Sequence, residues 1–124
     1  MSVIRAAEAQ VHHVHNARFT SYIRPDTGSS ELCVWQLEVE PGSEGAGHRV
    51  LREEAFVLLD GEVLFTLDGQ AHRLEVGDAV LAPAKSTIRL DNPGSRPARL
   101  LVSVPVGFSA EMADGTTMTP PWVS

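Results

Sequence analysis

Residues 42–61, GSEGAGHRVLREEAFVLLDG, carry the reading that decides the fold. The stretch opens on Gly42 to Gly47, small turn-forming residues that cannot continue a β-ladder. It then enters an apolar run, Glu54 to Leu59, and stops at Asp60-Gly61, a pair that tolerates positive φ. His48, Val50 and Glu54 are separated by even numbers of residues, and Phe56 and Leu58 continue the series. On a regular strand all five project to one face. Phe56 and Leu58 belong in a core, so the same face directs an imidazole and a carboxyl into an apolar interior.

On either side the chain reads as short strands punctuated by Gly, Pro and Asn. From Leu32 to Glu40, Trp35, Leu37 and Val39 share one face and Gln36, Glu38 and Glu40 the other. Further runs are Val63 to Leu67, ending at Asp68-Gly69, and Ala71 to Val76, ending at Gly77-Asp78. Ala79 to Leu81, Thr87 to Leu90 and Arg99 to Val104 follow, with turns at Pro83, Asn92-Pro93-Gly94 and Pro105. The Asp-Gly pairs read as hairpin turns. Strands at intervals of roughly 8–12 residues, without helical periodicity between them, predict an antiparallel sandwich or barrel. The only helix candidate is Ile4 to Val11.

The chain has 124 residues, which suits one domain with one core. The expected organisation is a single domain over 1–124. Its core is about 32–105, with an N-terminal strand segment over 1–30 and a C-terminal tail over 106–124 anchored by Trp122. Sixteen Asp and Glu against ten Lys and Arg give a net charge of -6, which argues against nucleic-acid binding. No stretch has the length and apolarity of a membrane span, and Met1 to Arg5 does not resemble a signal peptide, so a cytoplasmic protein is expected. The single cysteine, Cys33, rules out an internal disulfide and reads as an inert buried thiol.

A second spaced element lies in residues 77–92: Gly77, five residues, Pro83, one residue, Lys85, two residues, Ile88, three residues, Asn92. In the first element the series is Gly42, five residues, His48, one residue, Val50, three residues, Glu54, six residues, Gly61. Together the two resemble the paired signature motifs of the cupin superfamily. The short separation, residues 62–76, matches the small single-domain members. The resemblance implies an all-β fold, a double-stranded β-helix or jelly-roll barrel. It also implies a homodimer, and an unpaired N-terminal edge strand gives a physical reason for one.

In metal-binding cupins the first motif carries two histidines and a glutamate, and the second carries a third histidine. Here His48 and Glu54 match. Val50 and Ile88 stand at the other two positions, and Lys85 replaces the small residue after the motif-two proline. Valine and isoleucine have no lone pair to offer, whereas a catalytic metal generally takes about three protein ligands. No cofactor is therefore expected, with a divalent metal ion on His48 and Glu54 as the alternative.

An ionised carboxylate inside a barrel is costly unless paired. A hydrogen bond or ion pair from His48 to Glu54, direct or through water, is the expected solution. His72 shares the parity of Leu74 and Val76 and reads as a further inward group, while His12, His13 and His15 read as a His-rich surface segment. Arg49, Arg52, Arg73 and Arg89 read as outward, and Lys85 as a turn residue near the cup mouth.

The expected pocket is thus His48, Val50, Glu54, Phe56, His72 and Ile88, with His48 and Glu54 the candidate acid–base pair. The expected function is binding of a small molecule, the partner, by a cupin-like protein without a complete metal site. It would act as a binding module or a metal-independent enzyme. The alternative is a metal-dependent oxygenase or isomerase with a reduced ligand set.

Overall fold

A computed structural model describes residues 3–124. Met1 and Ser2, the start of the expected 1–124 domain, lie outside the described residues. The strands are β1 (Gln10–Val14), β2 (Ala17–Ile23), β3 (Leu32–Val39), β4 (His48–Val50), β5 (Glu54–Asp60) and β6 (Val63–Leu67). They continue with β7 (Gln70–Leu74), β8 (Ala79–Ala82), β9 (Thr87–Asp91), β10 (Ala98–Pro105), β11 (Ala110–Met112) and β12 (Thr117–Met118). Two six-stranded sheets result, in the orders β1-β2-β3-β10-β5-β8 and β12-β11-β4-β9-β6-β7. The Ile4 to Val11 candidate shrinks to one 3-10 turn, Ala6–Glu8, running into β1.

Alternation along the strands sets the inner face of each sheet. On β3, Cys33, Trp35, Leu37 and Val39 are buried. On β10, Leu100 and Val102 are completely buried, and Leu100 pairs with Leu37 on one side and Leu58 on the other. From the facing sheet come Phe65, Val63, Ile88 and Val50. Phe56 and Phe65 meet edge to face across the sandwich, 4.9 Å between centroids. Removing these apolar surfaces from water is the main favourable term in the fold.

Only one of the expected Asp-Gly hairpins forms. Asp68 (φ 48°) and Gly69 (φ 81°) join β6 to β7, with Leu67 opposite Gln70. At Asp60-Gly61 and Gly77-Asp78 the chain instead crosses between sheets, since β5 and β8 lie in one and β6 and β7 in the other. Gly61 is needed there for a second reason besides its φ of 85°: a Cβ would stand 2.8 Å from Ala98 Cα and Pro97 O. Crossing between sheets also changes the parity reading. Residues 51–53 carry the chain from one sheet to the other, so β4 and β5 lie in different sheets instead of continuing one strand.

Asn92, the last motif residue, is 1% exposed and fully engaged. Its Nδ2 donates to Val39 O (3.0 Å) and Arg96 O (2.9 Å), and its Oδ1 accepts from Gly94 N (2.9 Å). It ties the turn before β10 to the end of β3, a structural role. The C-terminal segment is more than a tail: β11 pairs with β4 and extends the second sheet. A closing 3-10 turn, Pro121–Val123, then presses Trp122 onto Phe19, stacked at 3.7 Å. Ser21 Oγ donates to Trp122 O at 2.8 Å and holds the segment down.

Candidate functional site

A cavity of about 500 Å3 opens between the two sheets. The first sheet contributes Trp35, Leu37 and Val39 from β3, with Glu54 and Phe56 from β5. From the second come His48 on β4 and Ile88 and Leu90 on β9. Phe108 and Trp122 of the C-terminal segment close one side. The mouth is rimmed by His15 and Asn16 of the β1–β2 turn, the loop around Gly45, and Met112 and Met118 of β11 and β12. Gly45 is the close-approach point of that rim: a Cβ there would collide with the carbonyl oxygen of Leu90, and its N–H donates to Asp91 Oδ1 at 2.9 Å.

Glu54 begins β5 opposite Ala82 of β8, and the residue is 5% exposed. Its carboxyl has no hydrogen-bond or ion-pair partner among the described residues. Burial alone pushes it up to about 8, which keeps a proton on it at neutral pH. His48 is half-buried, and its Nδ1 lies 3.3 Å from Ala46 O. A carbonyl only accepts, so Nδ1 carries the hydrogen and a neutral ring presents the Nε2 lone pair. Burial lowers the His48 pKa, and the Ala46 hydrogen bond opposes that in part.

Of the six residues expected in the pocket, four line it: His48, Glu54, Phe56 and Ile88. Val50 is completely buried but packs in the core outside the cavity wall. His72 is exposed on β7, the last strand of its sheet, and does not line the cavity. Its parity with Leu74 misleads because β7 is an edge strand whose N-terminal residues are open to water on both faces. The expected direct His48–Glu54 contact is also absent. The two groups come from opposing sheets, and among the described residues no hydrogen bond or ion pair joins them.

The sequence reading missed other parts of the wall. His15, assigned to a surface segment, lines the mouth because the two-residue turn at His15-Asn16 (His15 φ 52°) folds it over the opening. His12 is half-buried against Trp122 at 6.1 Å, and His13 is exposed. Phe108 and Trp122 enter from far along the chain, and no local pattern signals their place. Arg49, Arg73 and Arg89 are occupied outside the cavity, by Lys85 O, Glu62 and Asp91 respectively. Lys85 adopts a positive φ of 76° in its turn and does not line the cavity.

The donor set does not fit the metal centre of the family motif. His48 matches Ile88 across the β4–β9 ladder, so an aliphatic side chain stands where the third histidine would be. Among the described residues no group of three or more His, Cys, Asp or Glu side chains is placed to hold a metal ion. What the site offers is one buried carboxyl and one imidazole in an aromatic and aliphatic hollow.

Comparison with solved structures places this sandwich among known folds. The polyketide cyclase RemF from Streptomyces resistomycificus superposes with a TM-score of 0.76 at 18% identity, covering 85% of this chain and 79% of that one. KdgF from a Halomonas species gives 0.71 at 18% identity, over 85% and 94% of the two chains. A predicted oxalate decarboxylase from Thermotoga maritima gives 0.74 at 18% identity, over 84% and 98%. At such identities the likeness concerns the fold. No curated protein matches the sequence. The cupin domain family does match it, over residues 35–104, and the chain belongs to that family.

Proposed function

We propose that this cupin binds a small, largely apolar organic molecule in the cavity between its sheets, with Glu54 and His48 as the polar contacts. The observation that carries this reading is a carboxyl without a partner in a cavity of about 500 Å3, a volume within the range of small-molecule sites. An unpaired buried carboxyl costs stability, and a ligand that engages it recovers part of that cost. With Glu54 protonated and His48 neutral, the pair can also serve as acid and base toward a bound molecule. The neighbours' names include a cyclase, and the activity of this chain is a separate matter from theirs.

The test is native mass spectrometry of protein purified without a metal-affinity tag, with thermal-shift screening of small aromatic and aliphatic compounds. A co-purifying organic molecule, or compounds that raise Tm in wild type and not in Glu54→Leu, supports the reading. Stabilisation only by divalent metals would overturn it.

A homodimer in the cytoplasm completes the proposal. Its support is exposed apolar surface (Leu59, Leu81 and Leu101) on the outer face of the first sheet, and a free buried thiol at Cys33, compatible with a reducing compartment. Light scattering on wild type and Leu101→Glu tests the dimer, with a monomeric wild type as the contrary result.

A further inference from the structure

Taking the cavity as a small-molecule site, we infer that it selects an uncharged aromatic molecule bearing a hydroxyl group, which donates a hydrogen bond to the Glu54 carboxyl. The polar lining is unbalanced in a way that specifies its complement. Glu54 lines the cavity with no protein donor on either oxygen, and His48 presents an Nε2 lone pair. A protonated carboxyl offers one donor and one acceptor, and the His48 lone pair adds a second acceptor, so a hydroxyl, which both donates and accepts, meets the need. The indole N–H groups of Trp35 and Trp122 do not meet it. Both are shut off from solvent and unpartnered, so they do not open onto the cavity.

Charge narrows the class further. Among the described residues no lysine or arginine lines the cavity, so a carboxylate or phosphate would be buried beside Glu54 with no countercharge. The ionisable groups that do line it are Glu54, His48, His15 and Glu44, the last on the exposed rim. The strands on either side of β5 add no opposing charge inside: β8 is Ala79–Ala82, and the Arg99 side of β10 is exposed. A protonated amine would also donate, but it would form a desolvated ion pair with Glu54, whereas a hydroxyl meets the same acceptor without burying two charges. The aromatic body follows from the walls. Trp35, Phe56 and Phe108 present ring surface to the cavity, which flat rings contact by stacked or edge-on packing.

The test uses four matched probes on the full chain: naphthalene, 2-naphthol, 2-naphthoate and 2-naphthylmethylammonium, with Kd measured by ligand-observed NMR. The expected ranking places 2-naphthol about tenfold tighter than naphthalene, the size of one hydrogen bond to a buried acceptor. The naphthoate should bind more weakly than the hydrocarbon, and Glu54→Leu should abolish the hydroxyl preference while still binding naphthalene. Equal binding of naphthol and naphthalene, or tightest binding of the ammonium or the carboxylate, would overturn the hydroxyl assignment and leave the small-molecule reading intact. Failure of all four to bind would overturn both. If the leucine variant does not fold, the wild-type ranking alone decides.

Discussion

His48 and Glu54 line the same cavity from opposite sheets, one on β4 and the other on β5, and among the described residues no hydrogen bond or ion pair joins them. Each therefore solves its burial problem alone: His48 against the Ala46 carbonyl, Glu54 by holding a proton. An acid and a base that leave each other unbonded in one cavity both keep hydrogen-bonding capacity for a third molecule. A hydrogen-bonded pair would have used that capacity on itself.

The two residues should behave independently in stability. Removing His48, Glu54 and both together, with urea unfolding for each variant, should give additive changes to within about 0.5 kcal/mol. A coupling energy above about 1 kcal/mol would show that they interact.

Glu54 makes stability fall with pH. Its folded pKa of about 8 exceeds the ordinary 4.5, so between those values the folded chain holds a proton that the unfolded chain has lost. Unfolding free energy then declines as pH rises through this window, by on the order of a few kcal/mol. His48 acts oppositely. Its lowered pKa makes stability fall as pH drops below 6.5, so the Glu54 effect stands clearest above that value. Tm should decline from pH 6.5 to 8.5 in wild type and stay nearly flat in Glu54→Gln.

Trp122 anchors the C-terminal segment by packing on Phe19, and its indole N–H has no hydrogen-bond partner among the described residues. Trp122→Ala should cost about 3–5 kcal/mol, while Trp122→Phe, which keeps a ring in place, should cost far less. Equal losses in chemical denaturation would assign the anchoring to the indole nitrogen.

Gly61 and Gly69 separate backbone conformation from steric collision. Both have positive φ, but only Gly61 has no room for a Cβ. Gly69→Ala should cost about 1 kcal/mol from conformation alone, and Gly61→Ala clearly more. Similar Tm shifts for the two variants would contradict the crowding at Ala98.

Metal content distinguishes the aliphatic substitutions from a hidden ligand set. Protein purified without a metal-affinity tag should carry iron, manganese, nickel and zinc well below one equivalent by elemental analysis. A stoichiometric metal that leaves on His48→Ala would contradict this.

Much of this architecture was legible along the chain because alternation and turn chemistry are local. Leu32–Val39, Val63–Leu67 and the Asp68-Gly69 hairpin follow from side-chain period and φ tolerance, and the two spaced motifs named the family. The presence of His48, Glu54, Phe56 and Ile88 in one hollow followed from the same signals. Parity, however, holds only within a strand. It failed across residues 51–53, where the chain changes sheet, and on β7, where an edge strand exposes His72.

Only tertiary structure decided which groups face one another. The turns at Asp60-Gly61 and Gly77-Asp78 use the same residue types as the one at Asp68-Gly69, and long-range pairing alone made them crossovers. The His15 turn, Phe108 and Trp122 reach the cavity through the β2–β3 pairing, the β11–β4 ladder and the Ser21 bond to Trp122, contacts between residues far apart in the chain. The solitude of Glu54 is likewise a property of the assembled sandwich. A residue's own neighbours determine which way it points, but the opposing sheet determines whether anything is there to meet it.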